Sequence, residues 1–216
     1  MVKPVVVVVG AGPGVSGSVA RLFAGKGYDV GLVGVQEPAL AELREAIPDA
    51  DVRTVVADLT DSEAAGLAIR NLGDHFRRID VLHFNPSAFR EKDPLELSVA
   101  ELLQDVALGV GALLTTVQAA RPYLSAGGRV TVTGSMAADE PWHRAASLGV
   151  QKAGVRNLVH SLDATLEPEG IRAVSVTVRG TLAKEGPFTP DRVAEAIHAA
   201  AFQDEDAWRS EVPYAG

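Results

Sequence analysis

The chain predicts a parallel, doubly wound α/β sheet, and three observations carry that expectation. Apolar β-branched runs alternate with amphipathic helical stretches along most of the sequence. The first run, Val5–Val9, is five consecutive valines, the pattern of a strand covered on both faces. It passes directly into a glycine-rich turn at residues 10–14 and then into a helical stretch. Strands alternating with helices of this length are satisfied by a parallel sheet with helices on both faces.

Each later element follows from local chemistry. Val15–Gly25 places Val19, Leu22 and Phe23 on one helical face. Residues 28–35 read as a second strand, and 38–47 as a short helix opened by Pro38 in its first turn. A third strand is expected at 52–57, a helix at 61–76 capped by Asp61 or Ser62, and a fourth strand at 79–84. Residues 98–123 read as one long helix weakened by Gly109 and Gly111. Residues 128–133 form a fifth strand, 142–166 a second long helix, 171–178 a sixth strand and 191–202 a last helix. A short edge strand at 210–212 is expected to stop at Pro213, which cannot donate to a ladder. No linker-like segment interrupts the alternation, so residues 1–216 are read as one domain.

Composition narrows the function classes. The 216 residues carry a formal net charge of −8 with no basic cluster, which disfavours a nucleic-acid partner. The sequence contains no cysteine, so disulfides and thiolate metal sites are excluded, and a cytoplasmic setting is expected. The five histidines lack ligand spacing, so no metal is expected. The valine run is too short to span a membrane, and no membrane association is expected.

The chemistry-bearing motifs fall at strand ends. Gly10, Gly12 and Gly14, with Ser16 following, form a loop whose glycines allow positive φ and close backbone approach. The helix behind it presents amides and a dipole suited to a pyrophosphate. Further along stand Asp58-Leu59 after the third strand, Asp80-Val81-Leu82-His83-Phe84-Asn85 on the fourth, Ser135 after the fifth and Lys152 on the long helix. In this order and spacing, from residue 4 to about 180, the chain resembles the short-chain dehydrogenase/reductase family. The resemblance implies a Rossmann-type fold and a nicotinamide cofactor site. Gly10, Gly12, Gly14, Ser16, Asp58, Leu59, Asn85 and Lys152 would touch the cofactor, and Ser135 and Lys152 would remain of the catalytic set.

Two departures alter that implication. The family's catalytic tyrosine stands four residues before its lysine, one turn away on the same helical face, where the ammonium can lower the phenol's pKa. Here that position is Leu148, although Ser135 keeps its usual place thirteen residues earlier. The family's catalytic asparagine in the preceding long helix is also missing, with Gly109 its counterpart. Ser135 also admits a purely structural reading as a backbone cap, and Lys152 as a solvated helix lysine. His83 reads as a core histidine. The segment Asp139-Glu140-Pro141-Trp142-His143-Arg144 could supply replacement acid/base groups or form a charged surface loop.

At the end of the second strand, Val35-Gln36-Glu37 offers neither the usual NAD-selective acid nor an NADP-selective arginine. Glu37 would repel a 2′-phosphate, which favours NAD over NADP. Few residues separate the sixth strand from the last helix, so the substrate lid is expected to be short or missing. The sequence therefore predicts an atypical NAD(P)-dependent oxidoreductase acting on a small carbonyl or alcohol. The alternative is a non-redox cyclase, isomerase or dehydratase, or a non-catalytic nucleotide-binding subunit. A homodimer or homotetramer joined through the two long helices is expected.

Overall fold

The computed structural model describes residues 2–216. Seven strands form one parallel sheet in the order β3-β2-β1-β4-β5-β6-β7. They are β1 Val5–Val9, β2 Asp29–Gly34, β3 Val52–Val56, β4 Val81–Phe84, β5 Arg129–Ser135, β6 Arg172–Val178 and β7 Glu211–Tyr214. The helices are α1 Val15–Gly25, α2 Glu37–Glu45, α3 Ser62–Phe76, α4 Val99–Val106, α5 Ala112–Ala120, α6 Ala146–Leu166 and α7 Pro190–Ala201. This is the expected Rossmann-type architecture. Chain order reverses between β1 and β4, and a crevice opens there beyond the carboxyl ends of the strands.

The valines of β1 explain why the sheet is covered twice. Val5, Val7 and Val9 enter a core built with Ile69 and Leu72 of α3, Leu113 and Val117 of α5, and Val155 and Val159 of α6. Val6 and Val8 enter the opposite core with Val19 and Phe23 of α1, Leu40 of α2 and Ile197 of α7. Side chains alternate along a strand, so a two-sided core needs an unbroken apolar run.

Several boundaries differ from the sequence expectation. Strands β2, β3, β4 and β6 each begin or end one or two residues inside the predicted span, whereas β5 continues two residues further, through Ser135. The second long helix begins at Ala146 instead of residue 142. The Ala145 amide instead closes a turn onto the Trp142 carbonyl, while Trp142 stacks beside Phe89 and Arg144 pairs with Glu91. β7 runs through Pro213. The Ser175 and Arg179 amides donate to the Ser210 and Tyr214 carbonyls, so even-numbered residues of β7 face β6 and Pro213 lies on the outer edge. Of the two caps the sequence allowed, Asp61 is the one used, its side chain accepting from the Glu63 and Ala64 amides.

The helical rod over Val99–Tyr123 is continuous but not uniform. A π-turn at Ala107–Gly111 separates α4 from α5, and Arg121–Tyr123 tightens into a 3₁₀ turn. By length and composition this rod could cross a membrane; here it packs beside α3 and α6 in one helical layer.

Candidate functional site

The first glycine loop is shaped by three different requirements. Gly10 has φ +75°, and a Cβ there would lie 2.7 Å from Pro86 of the β4 loop. Gly14 has φ 90° and ψ −141°, a region only glycine occupies readily. Gly12 has neither constraint: a Cβ there would meet nothing within 4 Å. No side chain caps α1 at Gly14, so its first amides face outward without an internal acceptor. Ser16 is buried and donates to the Gly12 carbonyl at 3.2 Å, holding the loop against the helix. Open space at Gly12 and an uncapped helix start are what a pyrophosphate requires.

Asp58 lies on the exposed loop after β3, where its carboxylate accepts from the Thr60 amide at 2.8 Å and hydroxyl at 2.7 Å. Those bonds hold its pKa below the usual carboxylate range. Leu59 turns inward and is buried in the core. Glu37 occupies the first turn of α2, as anticipated.

A cleft of about 310 Å³ opens beside the loop. Its walls bring together Gly14, Asn85, Ser135, Leu148 and Lys152, five positions scattered over much of the chain. Lys152 is only 6% exposed, which rules out the solvated-lysine reading. Its Nζ donates to the Thr133 carbonyl at 2.9 Å, and burial pushes its pKa down to about 8. Asn85 Oδ1 accepts from the Thr133 hydroxyl at 2.7 Å. His83 lies beneath, fully buried, with Nδ1 2.9 Å from the Thr131 hydroxyl. Burial first, and the Lys152 charge second, lower His83 to about 3, so it is a neutral core histidine. Ser135 Oγ accepts from the Ala137 amide at 3.2 Å, so it does cap a turn; its own proton remains free to point elsewhere.

Beside Gly109, where the sequence resemblance leads one to expect an asparagine, stands a buried residue that the sequence did not single out. Gln151 is fully buried; its Oε1 accepts from the Ala88 amide at 2.8 Å, and its Nε2 donates to the Ala88 carbonyl and the Ser147 carbonyl, both at 3.1 Å. A Cβ on Gly109 would lie 2.3 Å from Gln151 Oε1. Gln151 thus fills the space a side chain at 109 would need and ties the β4 loop to α6. The available signals were a glycine inside a helix and a polar residue on that helix's partner, and neither states that the two meet. A second tie sits beside it: buried Asp105 accepts from Arg90 at 3.0 and 2.9 Å and from Ser147 Oγ at 2.7 Å.

The Asp139–Arg144 segment does not join the cleft. Asp139 pairs with Arg156 and Arg179, and these cations hold its pKa below the usual range. Trp142 and His143 instead line a separate apolar groove of about 700 Å³ against α4 and α6, together with Val99, Leu102 and Val150. Beyond β6, Gly180 and Leu182 touch the cleft, but residues 181–187 are exposed and place no lid over it. Among the described residues, no group of histidine and carboxylate side chains could hold a metal ion.

Comparison with known proteins agrees with this fold. Residues 4–184 match the family model for short chain dehydrogenase. The chain is 31% identical over 227 aligned positions to cis-4-hydroxycyclohexanecarboxylate dehydrogenase of Sinomonas cyclohexanicum, covering 94% of this chain and 90% of that one. It is 28% identical over 177 positions to sulfoacetaldehyde reductase 2 of Chromohalobacter salexigens, covering 80% and 70%. Among solved structures, a metagenomic short-chain oxidoreductase in complex with NADP has a TM-score of 0.87 at 23% identity, covering 98% of this chain and 97% of the other. Levodione reductase has a TM-score of 0.89 at 19% identity, covering 97% and 95%. Both structures share the fold.

Proposed function

The chain belongs to the short-chain dehydrogenase/reductase family, and we propose that it is an atypical NAD(P)-dependent oxidoreductase of small carbonyl or alcohol substrates. The observation that carries this reading is the shared cleft. An open glycine loop at an uncapped helix start adjoins a buried lysine, a serine and an asparagine at the switch point of the sheet. Gly10, Gly12, Gly14 and Ser16 would hold the pyrophosphate, Asp58 and the Leu59 backbone the adenine end, and Asn85 and Lys152 the nicotinamide riboside end. A dinucleotide bound there would supply or accept hydride. Ser135 would hold the substrate oxygen. With Leu148 in the tyrosine's place, the proton must come from a non-standard donor.

NAD is the preferred cofactor in this reading, because Glu37 opens α2 beside the end of β2 and would repel a 2′-phosphate. Two-fold assembly through α4, α5 and α6 completes it. Val99, Leu103, Leu114 and Val150 are exposed on those helices, next to the apolar groove.

A non-redox activity, or a nucleotide-binding subunit, is favoured by one observation: the cleft holds a leucine where the proton donor should stand. Calorimetry with NADH and NADPH, followed by reduction of an activated aldehyde, separates the readings. Binding with turnover is expected, tighter for NADH. Binding without turnover would leave the non-redox reading, and no binding would remove both nucleotide-based ones.

A further inference from the structure

We infer that Lys152 is itself the proton donor of this cleft, its ammonium protonating the substrate oxygen directly, an assignment that rests on the hydride-transfer reading above. Lys152 is the one ionisable side chain lining the cleft, among Gly14, Asn85, Thr133, Ser135 and Leu148. Among the lining side chains it is therefore the one that can present a proton from a charged acid. The residues the sequence suggested as substitutes, Glu140 and His143, do not line this cleft; His143 faces the neighbouring groove.

The geometry leaves the ammonium free to act. Of its three N–H groups, one is engaged by the Thr133 carbonyl at 2.9 Å, which leaves one for a ribose hydroxyl of the cofactor and one for the substrate oxygen. No carboxylate lies within ion-pair distance of Nζ among the described residues, so no anion holds the proton in place. The charged groups on neighbouring elements are committed elsewhere. Asp105 on α4 is bound by Arg90, and Asp139 after β5 by Arg156 and Arg179. Glu211 on β7 faces Arg156, and Asp163 on α6 itself faces Arg172 on β6. His83 on β4 stays neutral. Leu148, one turn before Lys152, adds an apolar wall instead of a competing phenol. Burial alone moves the lysine from the ordinary range to about 8, near enough to neutrality for a general acid to work.

The step balances simply. A reduced nicotinamide bound there would supply the hydride for the new C–H bond at the carbonyl carbon; an Nζ–H bond of Lys152 breaks and its proton forms O–H on the carbonyl oxygen. The product is the alcohol, the lysine is left as a neutral amine, and water entering the unlidded cleft restores its proton. Ser135 orients the oxygen but need not yield its own proton.

The probes are 4-nitrobenzaldehyde with NADH and NADPH, and the full chain labelled with ¹³C at lysine Cε. In the cofactor-free protein, one lysine resonance is expected to titrate with a midpoint near 8 and to vanish in Lys152→Met. In turnover, kcat/KM should fall tenfold per pH unit above that midpoint. Lys152→Met should lower kcat at saturating cofactor by roughly 100-fold or more and abolish the alkaline fall. Its cofactor affinity, read by calorimetry, should also weaken as a ribose contact is lost, so kcat is compared at saturating cofactor and folding is checked by an unchanged circular dichroism spectrum and cooperative unfolding. Turnover that survives Lys152→Met, or keeps the same alkaline fall, would overturn the donor role alone. So would a Lys152 resonance that titrates in the ordinary lysine range. Dinucleotide binding with no aldehyde reduction by the parent, while Lys152 still titrates near 8, would instead overturn the hydride-transfer reading on which the role depends.

Discussion

Asp163, beneath the start of β6, accepts four hydrogen bonds, whereas Lys152, above the end of β5, makes one. The Asp163 carboxylate takes Arg172 Nε at 3.0 Å and Nη2 at 2.8 Å, the Ala173 amide at 2.8 Å and Trp208 Nε1 at 3.2 Å. Arg172 and Arg129 lie over the Trp208 ring, 4.8 and 5.4 Å from its centre, and Glu205 pairs with Arg129. At the carboxyl end of the sheet stand an unpaired ammonium above β5 and, beyond β1, an uncapped helix start and a glycine with open space. Both ends bury polar groups, but only one satisfies them all. Buried polar groups are costly unless paired, so the saturated end contributes stability and the open end retains capacity for a ligand. The difference separates what keeps β5 and β6 in place from what they present.

The largest expected effect lies at the saturated end. Asp163→Ala strands Arg172, the Ala173 amide and Trp208 together, and should cost about 3 kcal/mol of stability. Calorimetric unfolding should show Tm lower by roughly 6–12 °C for a chain of this size. A loss within experimental scatter would mean that this end is no more committed than the other.

At the open end the analogous cost is borne by the lysine, and it depends on pH. Lys152 has a folded pKa of about 8, below the ordinary lysine value of 10.5. Between those values the unfolded chain binds more protons than the folded one, so stability should rise as pH climbs through that window, by up to about 3 kcal/mol. Below 8 the burial cost is present in full. Denaturant unfolding at both ends of the window should show the rise in the parent and its absence in Lys152→Met. A parent curve flat across the window would show that the ammonium is not strained by burial.

The Gln151–Gly109 contact sharpens the comparison within the site itself. Gly109→Asn, the residue the sequence resemblance would place there, should overpack against Gln151 and destabilise by about 1–3 kcal/mol. The pair Gly109→Asn with Gln151→Ala should regain about 1 kcal/mol or more beyond additivity. Additive losses would mean that the two side chains do not compete for one space.

The smallest effect on stability, though not on binding, is expected at Gly12. Gly12→Val adds a side chain into open space without a strained φ, so Tm should hardly move while dinucleotide affinity falls by roughly 10- to 100-fold, as when a backbone approach path to phosphate is blocked. Gly14→Val is a less clean probe, since φ 90° there strains any other residue. Unchanged affinity in Gly12→Val would detach the loop from the cofactor.

How much of the site was legible follows from which contacts are local. The β1 valines, the glycine loop and the Asp61 cap depend on residues within a few positions of each other, and all three were readable. The shift of α6 to Ala146 was not, because it depends on Trp142 stacking by Phe89 and Arg144 meeting Glu91, partners about fifty residues away. Strand β7 passing Pro213 depended on which side of the edge the missing amide would face.

From the sequence alone came the alternation, the two-sided burial of β1, the order of motifs along the family pattern and the expectation that Leu148 stands at the tyrosine's place. These are properties of residue type and spacing, and short-range sterics and hydrophobic periodicity suffice to express them. Tertiary structure alone decided that Lys152 is buried and unpaired, that Gln151 fills the space above Gly109, and that Asp139–Arg144 turns away from the cleft. Those outcomes depend on distances between elements packed from opposite ends of the chain. A lysine's charge state or a glycine's necessity is then set by what the fold places against it, which no spacing along the chain records.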